Sequence, residues 1–221
     1  MFKKILIAED FDSINIALAK AFEALPGIEL IHVKYCDEGL LKIKKALADD
    51  QPFDLLISDL SFVADHRREN LSSGEELINA VRALQPELKV IAYSIEDKSY
   101  RIRSLFEKQH ISGYVFKGRN SIPELQQAVR DVYNDREFIS PEVSRKIRDL
   151  SLDEIDDYDI ALLRLLSTGA KQDEIAKKLR ESAILPNSVS AIEKKINKLK
   201  IYFDANNTTH LVSLAKDLRI I

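Results

Sequence analysis

Four short apolar segments of the chain end in side chains that can bind a cation or an oxyanion. KILIA runs into Glu9 and Asp10, FDLLIS into Asp59, KVIAYS closes on Ser94, and GYVF leads to Lys117. Carboxylates brought together repel unless a cation compensates, and hard oxygen ligands of this kind suit Mg2+. A lysine and a hydroxyl beside them can hold the oxygens of a phosphoryl group while an aspartate acts as the nucleophile that forms an acyl phosphate. Each residue alone has a plainer role, as a helix cap or a solvated charge. Their joint occurrence at four segment ends points to phosphoryl transfer to an aspartate.

The segments must be strands, because each is followed by apolar residues at helical spacing. KILIA precedes a helix over 14–25, stopped by Pro26-Gly27. IELIHV precedes 38–47, FDLLIS 75–84, KVIAYS 100–108, and GYVF 122–133. Five strand–helix repeats therefore fill residues 1 to 135. Short, continuously apolar strands alternating with helices predict a five-stranded parallel sheet covered on both faces, with ligands at the carboxyl ends of its strands. Between 134 and 157 the periodicity weakens, Pro141 interrupts, and Asp149, Asp153, Glu154, Asp156 and Asp157 accumulate, which predicts a linker over 136–157. Residues 158–221 then read as four helices, 160–167, 172–180, 188–200 and 208–218, separated at Gly169, Pro186 and Asn206-Asn207.

The 221 residues carry a net charge of −3 that is unevenly divided. From Tyr158 onward eleven basic residues face seven acidic ones, so this part carries +4 and the rest −7. A basic module behind an acidic one suits a phosphate-bearing polymer as its partner. One cysteine, Cys36, excludes a disulfide scaffold and reads as a reduced structural thiol; no apolar stretch is long enough for a membrane helix. A short N-terminal apolar run ending in acids does not read as a secretory signal, so a cytoplasmic protein is expected. His32, His66, His110 and His210 show no metal-ligand spacing, and no Gly-rich phosphate loop, nucleophile elbow or Cys-X-X-Cys pair appears. A conventional enzyme is not expected.

These motifs resemble the response regulators of two-component signalling, in particular the NarL/FixJ group with a LuxR-type helix-turn-helix output. The acid pair Glu9-Asp10, FDLLISD ending in Asp59, the hydroxyl of Ser94 and GYVFK ending in Lys117 match the receiver pattern in order and spacing. The resemblance implies a flavodoxin-like α/β receiver over 1–135 and a small all-α helix-turn-helix domain over 158–221. It implies Asp59 as phosphoacceptor, Mg2+ held by Glu9, Asp10, Asp59 and the backbone carbonyl of Ser61, and Ser94 and Lys117 on the phosphoryl group. Tyr114 matches an aromatic that moves on activation, and FISPEV at 138–143 is similar to the start of the group's linker. The implied partners are a sensor histidine kinase, double-stranded DNA and, on activation, a second copy of the chain.

Two features of the receiver half depart from the family pattern. Asp59 is followed by LSFVADHRRENLSS before Gly74, with no proline, where family members reach a glycine sooner. His66, Arg67 and Arg68 in this stretch read as part of a solvated loop. Ile95 stands after the switch hydroxyl where a small residue is common.

In the basic half, ALLRLLSTGAKQDEIAKKL and NNTTHLVSLAKDL resemble the first two helices and the last helix of the LuxR-type domain. On a helical wheel Val189, Ile192, Ile196 and Leu199 form one side, predicted to be buried. Opposite lie Ser190, Ala191, Lys194, Asn197 and Lys198, with Lys195 on the flank and Asn187 and Ser188 at the start. Small and polar residues with spaced lysines suit a helix in the major groove. The turn before this helix is about three residues longer than the family's, Ile192 stands where the family often has His, and Glu193 sits among the lysines. The whole reads as a phosphorylation-dependent transcription regulator. The alternatives are a regulator that acts without phosphorylation, or a protein-binding adaptor or phosphoryl sink.

Overall fold

The computed structural model describes residues 1–23, 27–63, 66, 69–145, 155–203, 205–218 and 220–221. Pro26, Arg67, Arg68, Asp149, Asp153 and Glu154, singled out above, lie outside them. The chain divides into two compact units, Met1–Asp97 with Arg101–Arg145, and Lys98–Tyr100 with Lys146–Ile221.

In the first unit the elements alternate as β1 (Lys4–Ala8), α1 (Asp12–Glu23), β2 (Glu29–Val33), α2 (Cys36–Ala48), β3 (Leu55–Ser58), α3 (Gly74–Leu84), β4 (Lys89–Ser94), α4 (Ser99–Gln109), β5 (Gly113–Phe116), α5 (Ser121–Tyr133) and β6 (Phe138–Ile139). All strand pairs are parallel, in the order β2-β1-β3-β4-β5-β6. Ile5, Ile7, Leu55, Ile57, Ile91 and Val115 pack on one side with Leu18 and Phe22 of α1 and Leu125, Val129 and Val132 of α5. Their neighbours Leu6, Ala8, Leu56, Val90 and Ala92 are equally buried, and because side chains alternate along a strand they occupy the other side. Burial on both sides is why these strands read as continuous apolar runs.

The sheet has six strands rather than the expected five. Phe138–Ile139, within the stretch read as linker, pair with Gly113 and Tyr114 of β5. Two paired residues at a sheet edge carry no period, so the sequence pattern could not show them. After them residues 141–145 are helical. Cys36 is buried, and burial followed by the nearby charge of Glu69 pushes its thiol up to about 12, which agrees with an inert structural thiol.

The second unit consists of α6 (Asp157–Ser167), α7 (Gln172–Glu181), α8 (Val189–Tyr202) and α9 (Thr208–Asp217). Leu162, Leu163, Ile175, Leu179, Ile192, Ile196, Leu199, Phe203 and Leu211 form its core. Three helix starts are capped by side chains, from Asp156 to Asp159 N–H, Ser188 to Ala191 N–H and Asn207 to His210 N–H. Gly169, at φ +79, closes α6 where a Cβ would be strained. Val189, expected on the buried side of α8, is instead 36% exposed. It is the first residue of the helix, directly after an exposed turn that includes Leu185 and Pro186.

The long connection from Leu60 to Ser73 is fastened at both ends. Val63 N–H donates to Asp10 Oδ2 (2.9 Å), Asn70 and Leu71 N–H donate to the carboxylate of Asp37 on α2, and Ser61 bridges Ser73. Gly74 N–H donates to Leu60 O at 3.1 Å. A Cβ on Gly74 would lie 1.8 Å from the backbone oxygen of Asp59, so the return of the loop requires glycine. Gly74→Ala should lower stability by at least about 2 kcal/mol in urea unfolding, because the obstacle is backbone and cannot rotate away.

Candidate functional site

At the carboxyl edge of the sheet the backbone ladder sets the side chains in position. Asp59 N–H bonds Ala8 O at 2.9 Å and Lys117 N–H bonds Ser94 O at 2.8 Å, which brings the ends of β1, β3, β4 and β5 together. Lys117 Nζ lies 2.6 Å from Glu9 Oε2 and 2.6 Å from Asp59 Oδ2. Both carboxylates are buried. Asp59 Oδ1 accepts from Leu60 N–H (2.6 Å) and Ser61 N–H (3.2 Å), and Glu9 Oε1 accepts from Phe11 N–H. The two backbone donors hold Oδ1 of the Asp59 carboxylate, and Oδ2 meets, among the described residues, the ammonium of Lys117.

Asp10 completes the cluster. One carboxylate oxygen from each of Glu9, Asp10 and Asp59 lies within 4.8 Å of the others. Two such charges at that separation repel by about 3 kcal/mol at an effective dielectric of about 20, and Lys117 supplies a single positive charge against three. Asp10 Oδ1 is buried without a hydrogen-bond partner. An all-oxygen donor set, a residual negative charge and an orphaned buried oxygen fit a hard divalent cation. Among the described residues this is the group of acids, cysteines or histidines arranged to hold a metal.

Burial raises the Glu9 carboxyl above its ordinary value, against the opposing hydrogen bond and charge of Lys117. Burial pulls the Lys117 ammonium down, but its hydrogen bonds to Asp59 and Glu9 outweigh this and hold it above the usual lysine value. Sequence reasoning missed Tyr93. Its ring centroid lies 5.1 Å beneath Lys117 Nζ and its hydroxyl donates to Ser121 Oγ at 2.9 Å. As the residue before Ser94 in an alternating strand, it faces the opposite side from the hydroxyl and could be read only as core.

Ser94 is buried, and its Oγ accepts from Glu96 N–H at 3.3 Å. Tyr114 is wholly buried, its hydroxyl donating to the carbonyl of Glu96 and in contact with the Ser94 side chain. Burial, then the charge of Glu96, pushes its phenol up. Ile95 is 68% exposed at the rim. Ser61 pairs with Ser73, which fixes the backbone carrying the carbonyl considered above as a ligand.

In the second unit Ser190, Lys194, Asn197 and Lys198 lie on the exposed side of α8, with Glu193 beside them and Ala191 half-buried. Ser188 Oγ caps the helix and Asn187 Nδ2 donates to Ile184 O at 3.2 Å within the extended turn. Tyr158 of α6 donates to Pro186 O at 2.6 Å, tying that turn to the first helix. Lys195 is turned away from the exposed side. Its ammonium is 3.1 Å from Asp159 and 3.4 Å from Asp156 at the start of α6. Burial raises the Asp159 carboxyl, while Lys195, pulled down by burial, is lifted overall by Asp159.

No protein-family model matches the chain. It is 22% identical over 212 residues to response regulator GacA of Pseudomonas aeruginosa, covering 91% of each chain, and 22% identical over 216 residues to GacA of Pseudomonas protegens, covering 93% of each. In fold it matches RcsB in a structure of two RcsB dimers bound to two parallel DNAs, with TM-score 0.68, 20% identity and coverage of 97% of this chain and 98% of that one. RcsB of Salmonella enterica serovar Typhimurium bound to promoter rprA with a phosphomimetic gives TM-score 0.63 at 19% identity, over 96% and 97% of the chains. A receiver-like α/β unit bearing a strand-end acid cluster, followed by an all-helical unit, is the fold the chain shares with these structures. In sequence the chain is similar to response regulator GacA over nearly its whole length, and in fold to RcsB.

Two outcomes test this geometry. The folded state takes up a proton at Glu9 more readily than the unfolded chain does, so this stabilisation is complete below the ordinary value of 4.5 and is lost as pH rises through the raised folded value. Thermal unfolding in metal-free buffer should find Glu9→Gln more stable than the parent above that window, with a flatter pH dependence. In the second unit Lys195→Met leaves a buried carboxylate without its partner and should cost about 1 to 3 kcal/mol, against at most about 0.5 kcal/mol for exposed Lys194→Met, both read by denaturant unfolding.

Proposed function

We propose that the protein is a phosphorylation-dependent transcription regulator, with a receiver over 1–135, a linker over 136–157 and a DNA-binding domain over 158–221. The observation that carries this reading is Lys117 bridging Glu9 and Asp59 beside Asp10. A sensor histidine kinase supplies the phosphoryl group. Asp59 Oδ2 attacks phosphorus as the donor's bond to phosphorus breaks, and the donor leaves with that electron pair. Lys117, freed from the carboxylate, follows the new phosphoryl oxygens, and Ser94 turns its hydroxyl toward them. Glu9, Asp10, Asp59 and the Ser61 carbonyl would hold Mg2+, which when bound neutralises charge on the transferring group.

Tyr114, against Ser94 and tied to the Glu96 carbonyl, transmits the change at β4 and β5 to the loop and helix that follow. The output is DNA binding by α8 in the major groove, with Ser190, Ala191, Lys194, Asn197 and Lys198 on the groove side and Asn187 and Ser188 at its start. Lys195 supports that face by holding α8 to α6. The excess of +4 in this half and the RcsB–DNA structures support the assignment. One short helix reads few base pairs, so a homodimer presenting two helices to paired half-sites is expected. The protein acts in the cytoplasm; no helix among the described residues is long and apolar enough to cross a membrane.

Three observations favour a second reading, in which the receiver acts without phosphorylation. Tyr114 is already fully inward, and the chain departs from the family pattern at Ile95 and in the loop after Asp59.

Mass spectrometry after incubation with Mg2+ and acetyl phosphate decides between them. The first reading expects an adduct of about 80 Da on the parent, absent from Asp59→Asn and diminished when Mg2+ is chelated. No adduct on the parent would leave the phosphorylation-independent regulator. DNA affinity should fall by about 0.9 log unit per log unit of salt for each phosphate neutralised. A shallow slope would favour a protein-binding adaptor.

A further inference from the structure

The segment FISPEV leaves the first unit by an unusual set of bonds. Ser140 follows β6 and is fully buried. Its N–H donates to Tyr114 O at 3.0 Å, continuing the ladder with β5. The next ladder bond, from Phe116 N–H, goes not to the Ser140 carbonyl but to its side-chain Oγ, at 2.9 Å. The carbonyl is taken by Ser144 N–H at 2.8 Å, the first bond of the helical residues 141–145. Ser140 is thus the last strand residue through its hydroxyl and the start of a helix through its carbonyl.

Two chemical details make this double role specific. Pro141 has no N–H to place in the ladder and favours the first helical position, so the chain must turn at Ser140. The Ser140 hydroxyl donates to the carboxylate of Glu124 on α5, which directs its proton away and keeps an oxygen lone pair toward Phe116 N–H. An aliphatic residue at 140 would leave that part-buried N–H without its acceptor. The two β5 groups held by Ser140 belong to Tyr114 and to Phe116, the residue before Lys117.

We infer that Ser140, oriented by Glu124, is a positioning residue that ties the end of β5 carrying Lys117 to the start of the helical segment leading out of the first unit. The inference rests on the phosphoacceptor reading of Asp59. When Lys117 shifts from the carboxylate to a phosphoryl group, the end of β5 moves with it. Through the Phe116–Ser140 bond that movement reaches residues 141–145, whose first helical bond begins at the same residue. Signal transmission and phosphoryl acceptance are then separable.

Hydrogen exchange of the full-length protein with Mg2+, with and without acetyl phosphate, tests this with adduct mass measured on the same samples. Exchange in peptides spanning 140–145 should change when the parent is phosphorylated. Ser140→Ala should form the adduct to the same extent yet lose that change. Glu124→Gln, whose amide oxygen still accepts from the hydroxyl, should keep it, whereas Glu124→Ala should weaken it. An equal change in Ser140→Ala, or none in the phosphorylated parent, overturns the coupling while leaving the phosphoacceptor reading intact. Absence of adduct on the parent overturns that reading and the coupling with it. If Ser140→Ala fails to fold, the contrast between Glu124→Gln and Glu124→Ala carries the test, and equal behaviour of those two overturns the role.

Discussion

The first unit depends on one ammonium group placed between two buried carboxylates. Glu9 and Asp59 leave different strands, and without Lys117 their mutual repulsion would oppose the pairing of β1 with β3 at that edge. With Lys117 at 2.6 Å from each, the repulsion becomes attraction in a site where burial strengthens it. The arrangement is balanced only in part, since Asp10 adds a further charge and keeps one oxygen without a partner. A site that is stable yet short of positive charge is suited to a cation and to a group whose arrival redistributes the lysine.

Everything around that ion pair limits how it can rearrange. Two backbone N–H groups hold Asp59 Oδ1, so the other oxygen is the one that meets Lys117. Gly74 lies against the Asp59 backbone, and the long loop is fastened to Asp10 at one end and Asp37 at the other. Extra length in that loop therefore leaves the ends beside the site fixed. Tyr93 lies beneath Lys117, and Tyr114 lies buried beside Ser94.

The second unit shows the same economy of charge on a smaller scale. Asp156 and Asp159 cap α6, and the second is buried, so it needs a cation from another helix. Lys195 supplies it and fixes the rotation of α8 about its axis. Of the remaining basic residues of α8, Lys194 and Lys198 are then directed outward with Ser190 and Asn197, while Lys200 is half-buried. Two lysines of this basic half thus lie on a helix face that an internal ion pair helps to orient.

The alternation of apolar strands and helices, the ends that carry Glu9, Asp10, Asp59, Ser94 and Lys117, and the all-helical second half were legible in the sequence. Those features depend on local periodicity and on strand ends, which survive without knowledge of which strands are neighbours. The sixth strand was not legible, because two residues pairing at an edge have no pattern of their own. Nor was the position of Lys195, since a helical wheel fixes angles about one axis and cannot say which acid on another helix will claim a flanking lysine. Val189 appeared buried for the same reason: a wheel does not know where its neighbours stop. Tyr93 and Ser140 looked like a core aromatic and a linker serine until the ladder placed one beneath Lys117 and the other astride β5. The sequence by itself determined the elements and the chemistry at their ends, because both are written in the spacing of side chains along one chain. Only the tertiary structure decided which charge meets which, because a contact between distant residues depends on how separate elements pack and exclude water.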